Sequence, residues 1–541
     1  MKTHMLTYHF DPEHGPLYRQ LYDCIRRDMD TGRLKPGEKM PSKRAFARNL
    51  GVSTITVETA YGQLIGEGFL YARTRQGYFV SDLAGMLRPA GRVSSPEGAI
   101  GSFLASGPSA ASDPSAASDP SAATGPSAAS DPSAASGPSA ASGLSAGPGS
   151  GVTASPGSEP IILPAASQDV WFDFSSGRTN AADFPFSIWA KLMRETLSWQ
   201  EQELLETPPC SGVRQLREAI ASHLASFRGM TVDPDQIIVG SGTEYLYSLL
   251  IRLLGQDRVY CIENPGYRKL PMVYRSNQAV CRFADVDSEG MIISQLRQTD
   301  ANVAHISPTH HFPTGVTMSI RRRFELLHWA CQAEDRFIIE DDYDSEFRVR
   351  GRPVPPLQSM DRQGKVIYMN TFSKSLSSAV RISYMVLPPH LANEFYARLG
   401  FYSCTVPTFD QYALAAFISR GFFEKHINHM RLVYGRRRTR VLETMQKVFT
   451  PSQASVLEND SGLHMLLLLH TAVPDAEVKE RLADRNIRIR SITDYDMRDR
   501  TRDRHQFLIS YSGMDLDRLE EACRIMKDVC GFDSYPEAPK P

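Results

Sequence analysis

From Gly107 the chain reads GPSAAS-DPSAAS-DPSAAT-GPSAAS-DPSAAS-GPSAAS, a six-residue unit that decays into GLSAGPGSGVTASPGSEP. This stretch constrains the fold most, because it is the part that cannot fold. Its residues are small or turn-forming and bury too little apolar surface to offset chain entropy. A proline in every unit adds stiffness and extension. Residues 82–165 therefore read as a disordered linker. It separates an N-terminal module, 1–81, from a C-terminal module, 166–541.

Composition limits what these modules do. With 42% apolar and 22% charged residues the chain is of globular type. Its net charge of −1 provides no global field toward nucleic acid or membrane. No apolar run reaches transmembrane length, and no apolar signal core follows Met1 and Lys2, so the expected setting is cytoplasmic, without a membrane partner. The eight cysteines form no CxxC pair. Cys523 and Cys530 are spaced for core packing on a helix, and no metal site is expected.

In the N-terminal module, Leu17, Leu21, Ile25 and Met29 recur every four residues and predict an amphipathic helix. SKRAFARNLG predicts a short helix from Ser42, an N-cap, to Gly51, a C-cap; VSTITVETAYGQLIGEGFL predicts a second, capped near Ser53. Two short helices joined by a tight turn make a helix-turn-helix. LYARTRQGYFVS then alternates like a hairpin, a wing with Arg73 and Arg75 near its tip. Ser53, Thr54 and Thr56 begin the second helix, where short hydroxyl side chains reach phosphates and base edges. Lys43, Arg44 and Arg48 lie where backbone phosphates would sit. The module carries 12 Lys/Arg against 8 Asp/Glu, a local basicity that suits double-stranded DNA. A helical protein-interaction module is the alternative.

In the C-terminal module apolar runs alternate with helical periods, the pattern of an α/β parallel sheet. Ligands of such sheets bind beyond the carboxyl ends of the strands. QIIVG is followed by SGTEYLYSLLIRLL, whose Gly242 and Thr243 open a helix and form a phosphate-sized anion site. RVYCIE leads to Tyr267, NVAHIS to His310 and His311, RFIIE to the acidic run around Tyr343, and KVIYMN to TFSKS with Lys374. An anion cradle, a stacking ring, a carboxylate and a lysine are what pyridoxal 5′-phosphate requires. Arg381, seven residues after the lysine, adds a bidentate phosphate fork.

The stretch from residue 16 to 80 resembles the GntR-type winged helix, and the chain from about Trp171 to Gly513 resembles a fold-type I aminotransferase. ENPGY, HFPTG, IIEDDYDSEF and YMNTFSKSLSSAVRISYMVLP together resemble the MocR/GabR regulators, which join these two parts. The resemblance implies Lys374 as the Schiff-base lysine, Asp341 as the partner of the pyridinium nitrogen, Tyr343 near the ring oxygen and Tyr267 stacked on the ring. It places Gly242, Thr243, Thr371, Ser373 and Arg381 around the phosphate and His310 and His311 close to the ring, with His311 where the family usually has glutamine. It also implies a smaller C-terminal α/β domain and a domain-swapped, head-to-tail homodimer. Where the GABA-responsive branch grips a carboxylate with arginine, the alignment through RIRSITDYDM puts Asp494, and Lys269 replaces a second arginine. Arg488 and Arg490 are candidate substitutes. The expected function is a transcription regulator that binds pyridoxal phosphate and senses either the cofactor itself or an amine or amino acid effector, with Asp494 speaking against a GABA-like one. The alternatives are a working aminotransferase with an accessory DNA-binding domain and a cofactor-free dimerisation module.

Overall fold

The computed structural model describes residues 8, 17–66, 69–73, 77–81, 170–177, 181–199, 201–348, 355–457, 462–498 and 503–532. The expected linker and Arg75 lie outside the described residues.

The N-terminal residues form α1 (Leu17–Asp30), α2 (Lys43–Leu50), α3 (Thr54–Gly66), β1 (Leu70–Arg73) and β2 (Gly77–Val80). The spacing in α1 buries Leu21 and Ile25 in one cluster with Phe46 of α2 and Val57, Ala60, Tyr61 and Leu64 of α3. Each large apolar side chain among these contributes about 1.5–3 kcal/mol. Ser42 caps α2 by accepting from the Ala45 amide at 3.3 Å, and Gly51 ends it at φ 67°. β1 and β2 pair antiparallel, Leu70 opposite Val80 and Arg73 opposite Gly77, which is the expected wing.

The C-terminal residues begin with β3 (Phe172–Asp173). An eight-stranded sheet follows, made of β4 (Ile237–Gly240), β5 (Val259–Asn264), β6 (Val280–Asp287), β7 (Gly290–Met291), β8 (Val303–Ile306), β9 (Phe337–Asp341), β10 (Val366–Thr371) and β11 (Ser383–Val386). Its order is β4-β11-β10-β9-β8-β5-β6-β7. β6, β5, β8, β9 and β10 run parallel. β11 is antiparallel to both β10 and β4, so the sheet is mixed where the sequence predicts a parallel one. The reason is chain length: residues 372–382 are too few for the crossover of roughly a dozen or more that a parallel return needs.

Alternation sorts the sheet's side chains between two layers. Ile238, Ile339, Ile367 and Met369 pack with helix Thr243–Leu254, while Val239, Tyr368 and Tyr384 join the cluster on the other face. The sheet is thus covered on both sides, and the ends of β4, β5, β8, β9 and β10 share one edge. A smaller four-stranded antiparallel sheet comes from β12 (Ala454–Leu457), β13 (His464–Leu469), β15 (Arg490–Ser491) and β16 (Gln506–Ser510). β14 (Ile487–Arg488) pairs instead with β3, tying the start of the module to its end. Cys523 and Cys530 are buried in the core as free thiols. No helix among the described residues is long and apolar enough to cross a membrane.

Candidate functional site

The shared strand edge opens into a cavity of about 510 Å³. At the end of β9, consecutive residues turn opposite ways. Asp341 lines the cavity, whereas Asp342 is buried against Arg228 at 2.6 Å and accepts from the Tyr368 hydroxyl at 2.7 Å. Glu340 accepts from the Leu357 and Gln358 amides at 2.7 and 2.9 Å, and Asp344 meets His310 Nδ1 at 2.8 Å. The acidic run is buried carboxylate by carboxylate, each with its own partner, as burial of charge requires.

Asp341 Oδ2 accepts from the Tyr247 hydroxyl at 2.5 Å and lies 3.8 Å from His305 Nε2. His305 Nδ1 in turn is 2.7 Å from the Tyr274 hydroxyl. Asp341 Oδ1 is buried without a protein partner. Leaving such an atom unpaired costs about 1–3 kcal/mol or more, so a donor on a bound molecule fits there. Sequence reasoning missed Tyr247 and His305. His305 was detectable as the polar residue inside the apolar strand Val303–Ile306. Tyr247 had only its place one helical turn beyond Thr243 as a signal.

Lys374 lies in a single helical turn, Phe372–Ser375, directly after β10. Thr371 caps this turn by accepting from the Ser373 amide at 3.1 Å, and its hydroxyl oxygen also accepts from Ser383 at 2.8 Å. Burial pushes the Lys374 amine below the ordinary lysine range, against the opposing pull of Asp344. A larger neutral fraction makes an amine a better nucleophile. Gly177 stands beside it, where an added Cβ would lie 3.2 Å from Nζ.

Arg381 has φ 51°, a left-handed conformation uncommon outside glycine. Its guanidinium lies over Gly242, where a Cβ would come within 2.5 Å of Nη2. Helix Thr243–Leu254 begins there and offers the unpaired amides of its first turn. Glu244 also enters this cradle, 3.4 Å from Arg381 and 3.1 Å from Lys269. Its hydrogen bond with Lys269 holds its carboxyl below the usual range despite partial burial.

Tyr267 lines the cavity edge-on to Phe312, ring centres 6.3 Å apart. His311 also lines it, bonded to Thr314 at 2.7 Å and 3.6 Å from Glu263 Oε2. Burial drives both of that pair toward neutrality: His311 falls to about 3 and Glu263 rises to about 8. His310 is outside the lining, between Asp344 and the Tyr343 hydroxyl at 3.1 Å. Tyr343 lines the cavity, and burial, reinforced by Asp344, keeps its hydroxyl protonated.

The facing wall comes from the smaller sheet, with Arg490 and His464, and from the helical turn Ile492–Tyr495 after β15, with Tyr495. Asp494 is not part of it. One of its oxygens accepts from the Ser491 amide at 2.9 Å, closing its own turn, and the other pairs with Lys479. This corrects the expectation that Asp494 confronts a ligand carboxylate: its charge is spent on Lys479. Arg488 and Arg490 part company because Ile489 breaks the strand between them. Arg490 lines the cavity, and Arg488 lies 3.7 Å from Asp173.

On the N-terminal module, Arg44 and Arg48 are exposed along α2, and Lys43 pairs with Glu58 of α3 at 2.7 Å. Ser53 caps α3 by accepting from the Thr56 amide at 3.0 Å and shares a 2.8 Å hydrogen bond with the Thr56 hydroxyl. Those two hydroxyls hold the helix start, while Thr54 is exposed. Arg73 lies over the wing rings of Tyr71 and Phe79, 5.4 and 5.3 Å from their centres.

A winged helix-turn-helix and an α/β module with an aminotransferase-type cavity in one chain define a class, DNA-binding domains joined to fold-type I domains. Residues 17–80 match the bacterial regulatory proteins of the gntR family, and residues 170–526 match aminotransferase class I and II. The chain is 32% identical over 478 residues, 88% of each chain, to the uncharacterized HTH-type transcriptional regulator YdeL of Bacillus subtilis (strain 168). It is 31% identical to the probable rhizopine catabolism regulatory protein MocR of Rhizobium meliloti, over 85% of this chain and 83% of that one. Kynurenine aminotransferase of Pyrococcus horikoshii matches with a TM-score of 0.60 over 68% of this chain and 93% of its own, and at 23% identity shows the fold. The chain belongs to the MocR-type transcription regulators, and the cofactor this family fold implies is pyridoxal 5′-phosphate.

Proposed function

We propose that the cofactor cavity, responding to an amine or amino acid effector, sets how the winged helix engages double-stranded DNA. The observation that carries this is the unpartnered Asp341 Oδ1 in the same cavity as the half-buried Lys374. The residues fit pyridoxal phosphate. Lys374 would hold its aldehyde carbon, Asp341 Oδ1 would accept from its ring nitrogen and Tyr267 would cover its face. Gly242, Thr243, Thr371, Ser373 and Arg381 would hold its phosphate. When bound, the cofactor supplies an electron-withdrawing ring and a carbon that amines reach reversibly.

The protein's own residues do the rest. Tyr247 fixes Asp341 so that its free oxygen stays aimed at a donor. The Asp341 charge favours a protonated partner. Tyr343 keeps its proton and donates. Lys374, with its affinity for protons reduced, would hold the cofactor as a neutral nitrogen and would take up a proton at Nζ when an amine replaces it. Arg490 on the facing wall supports an effector with a carboxylate, because Lys269 is already held by Glu244. We place the protein in the cytoplasm as a head-to-tail homodimer, consistent with its regulator relatives and the spacer-like composition of 82–165.

Absorbance of the purified protein tests the site. Wild type should show the band of lysine-linked cofactor, and Lys374→Ala should lose it. A mutant that keeps the band unchanged refutes the assignment. Sustained turnover of an amine with a keto acid would favour the enzyme reading instead.

A further inference from the structure

The DNA-facing helix lacks the groups most often used to read sequence. Residues 54–66 contain no lysine or arginine. The commonest specific contact, an arginine or lysine on guanine, is therefore unavailable from α3. Its exposed residues include Thr54, Ile55, Glu58 and Thr59. Glu58 is held by Lys43 at 2.7 Å, and the Thr59 hydroxyl donates to the Ile55 carbonyl at 2.9 Å.

Ile55 has no such commitment. It is 74% exposed at the second position of the helix, while Val57, Ala60, Tyr61 and Leu64 supply the core contacts of α3. Isoleucine also has lower helix propensity than alanine or leucine, so neither packing nor local structure accounts for it. Its surroundings indicate an anionic partner: Arg44 and Arg48 are exposed on the adjoining α2, and the module holds 12 Lys/Arg against 8 Asp/Glu. The first residues of a recognition helix meet base edges in the major groove. The apolar group displayed there is the thymine C5 methyl.

We propose that Ile55 is a specificity-determining residue that reads a thymine methyl in each operator half-site. Discrimination under α3 then rests on methyl and hydroxyl contacts. The proposal depends on the DNA-binding role of the winged helix, and the experiment separates the two.

Duplexes enriched by the full-length protein from a randomised library supply the operator. Each thymine is then replaced singly by deoxyuridine, which removes only the methyl, and binding is measured at fixed salt. One thymine per half-site should show about a fourfold loss for wild type, the scale of one buried methyl group. Ile55→Ser should bind more weakly and be indifferent at that thymine, and Ile55→Val should retain the dependence. The exposed position makes misfolding of these variants a minor concern, and an unchanged melting temperature checks it. Wild-type indifference at every thymine overturns the proposal, as does Ile55→Ser with the same loss at the same thymine. Failure to enrich any duplex overturns the DNA-binding reading itself, and this inference with it.

Discussion

The two walls of the cavity are built by different rules. On the large-sheet side, Asp341 ends β9 and Thr371 ends β10, with Lys374 one short turn further on. Ladder register fixes their positions, and alternation fixes their directions. On the small-sheet side, Arg490 belongs to a two-residue strand, and Asp494 is withdrawn by one amide and one lysine. The residues proposed to hold the cofactor thus end long strands of the large sheet, and Arg490, proposed to meet the effector, sits on a short one.

Variants on each wall sharpen this contrast. Asp341→Asn should weaken cofactor binding most, by about 10- to 100-fold, the worth of one charge-assisted hydrogen bond; spectroscopic titration measures it. A loss below twofold would show that Oδ1 has no ligand partner. Arg490→Ala should leave cofactor affinity within about twofold while raising the carboxylate effector needed for half-response by about tenfold. Equal losses for cofactor and effector would dissolve the distinction between the walls.

Glu263 links the large-sheet wall to pH. Burial raises its pKa to about 8, so the folded protein binds a proton that the unfolded chain releases near its ordinary value. Stability from this group is present below the unfolded value and declines as pH rises through 8. Between pH 6 and 8 wild type should lose about 2 kcal/mol more than Glu263→Gln, measured by denaturant unfolding. Parallel pH profiles would place the proton elsewhere. The smallest effect belongs to Glu244, which shares the anion cradle with Arg381. Glu244→Gln should tighten binding of inorganic phosphate about threefold, within the modest range of exposed charge pairs. Weaker binding would mean that Glu244 positions the cradle rather than competing for it.

What was legible in the sequence follows the same division. Strand ends could be read from apolar runs, which found Lys374, Tyr267 and the acidic run, within which the family resemblance singled out Asp341; all three residues line one cavity. Caps at Ser42 and Gly51 were equally local. The direction of β11 was not legible, because a residue's pattern reports burial and not strand sense. Arg490 and Asp494 could not be assigned, because the break at Ile489 and the Lys479 partner depend on tertiary contacts. His310 was read as a neighbour of the ring; it lies outside the cavity lining, bonded to Asp344 and to the cavity-lining Tyr343.

The central claim is that the cavity governs DNA binding. Its most direct measurement is the affinity of full-length protein for its selected operator at fixed salt. It is taken without additions, with pyridoxal phosphate, and with pyridoxal phosphate plus candidate amines, for wild type and Lys374→Ala. Wild-type affinity should shift on addition of cofactor or amine, and the Lys374→Ala affinity should not follow. Operator affinity that is the same in wild type under all three conditions would contradict the claim.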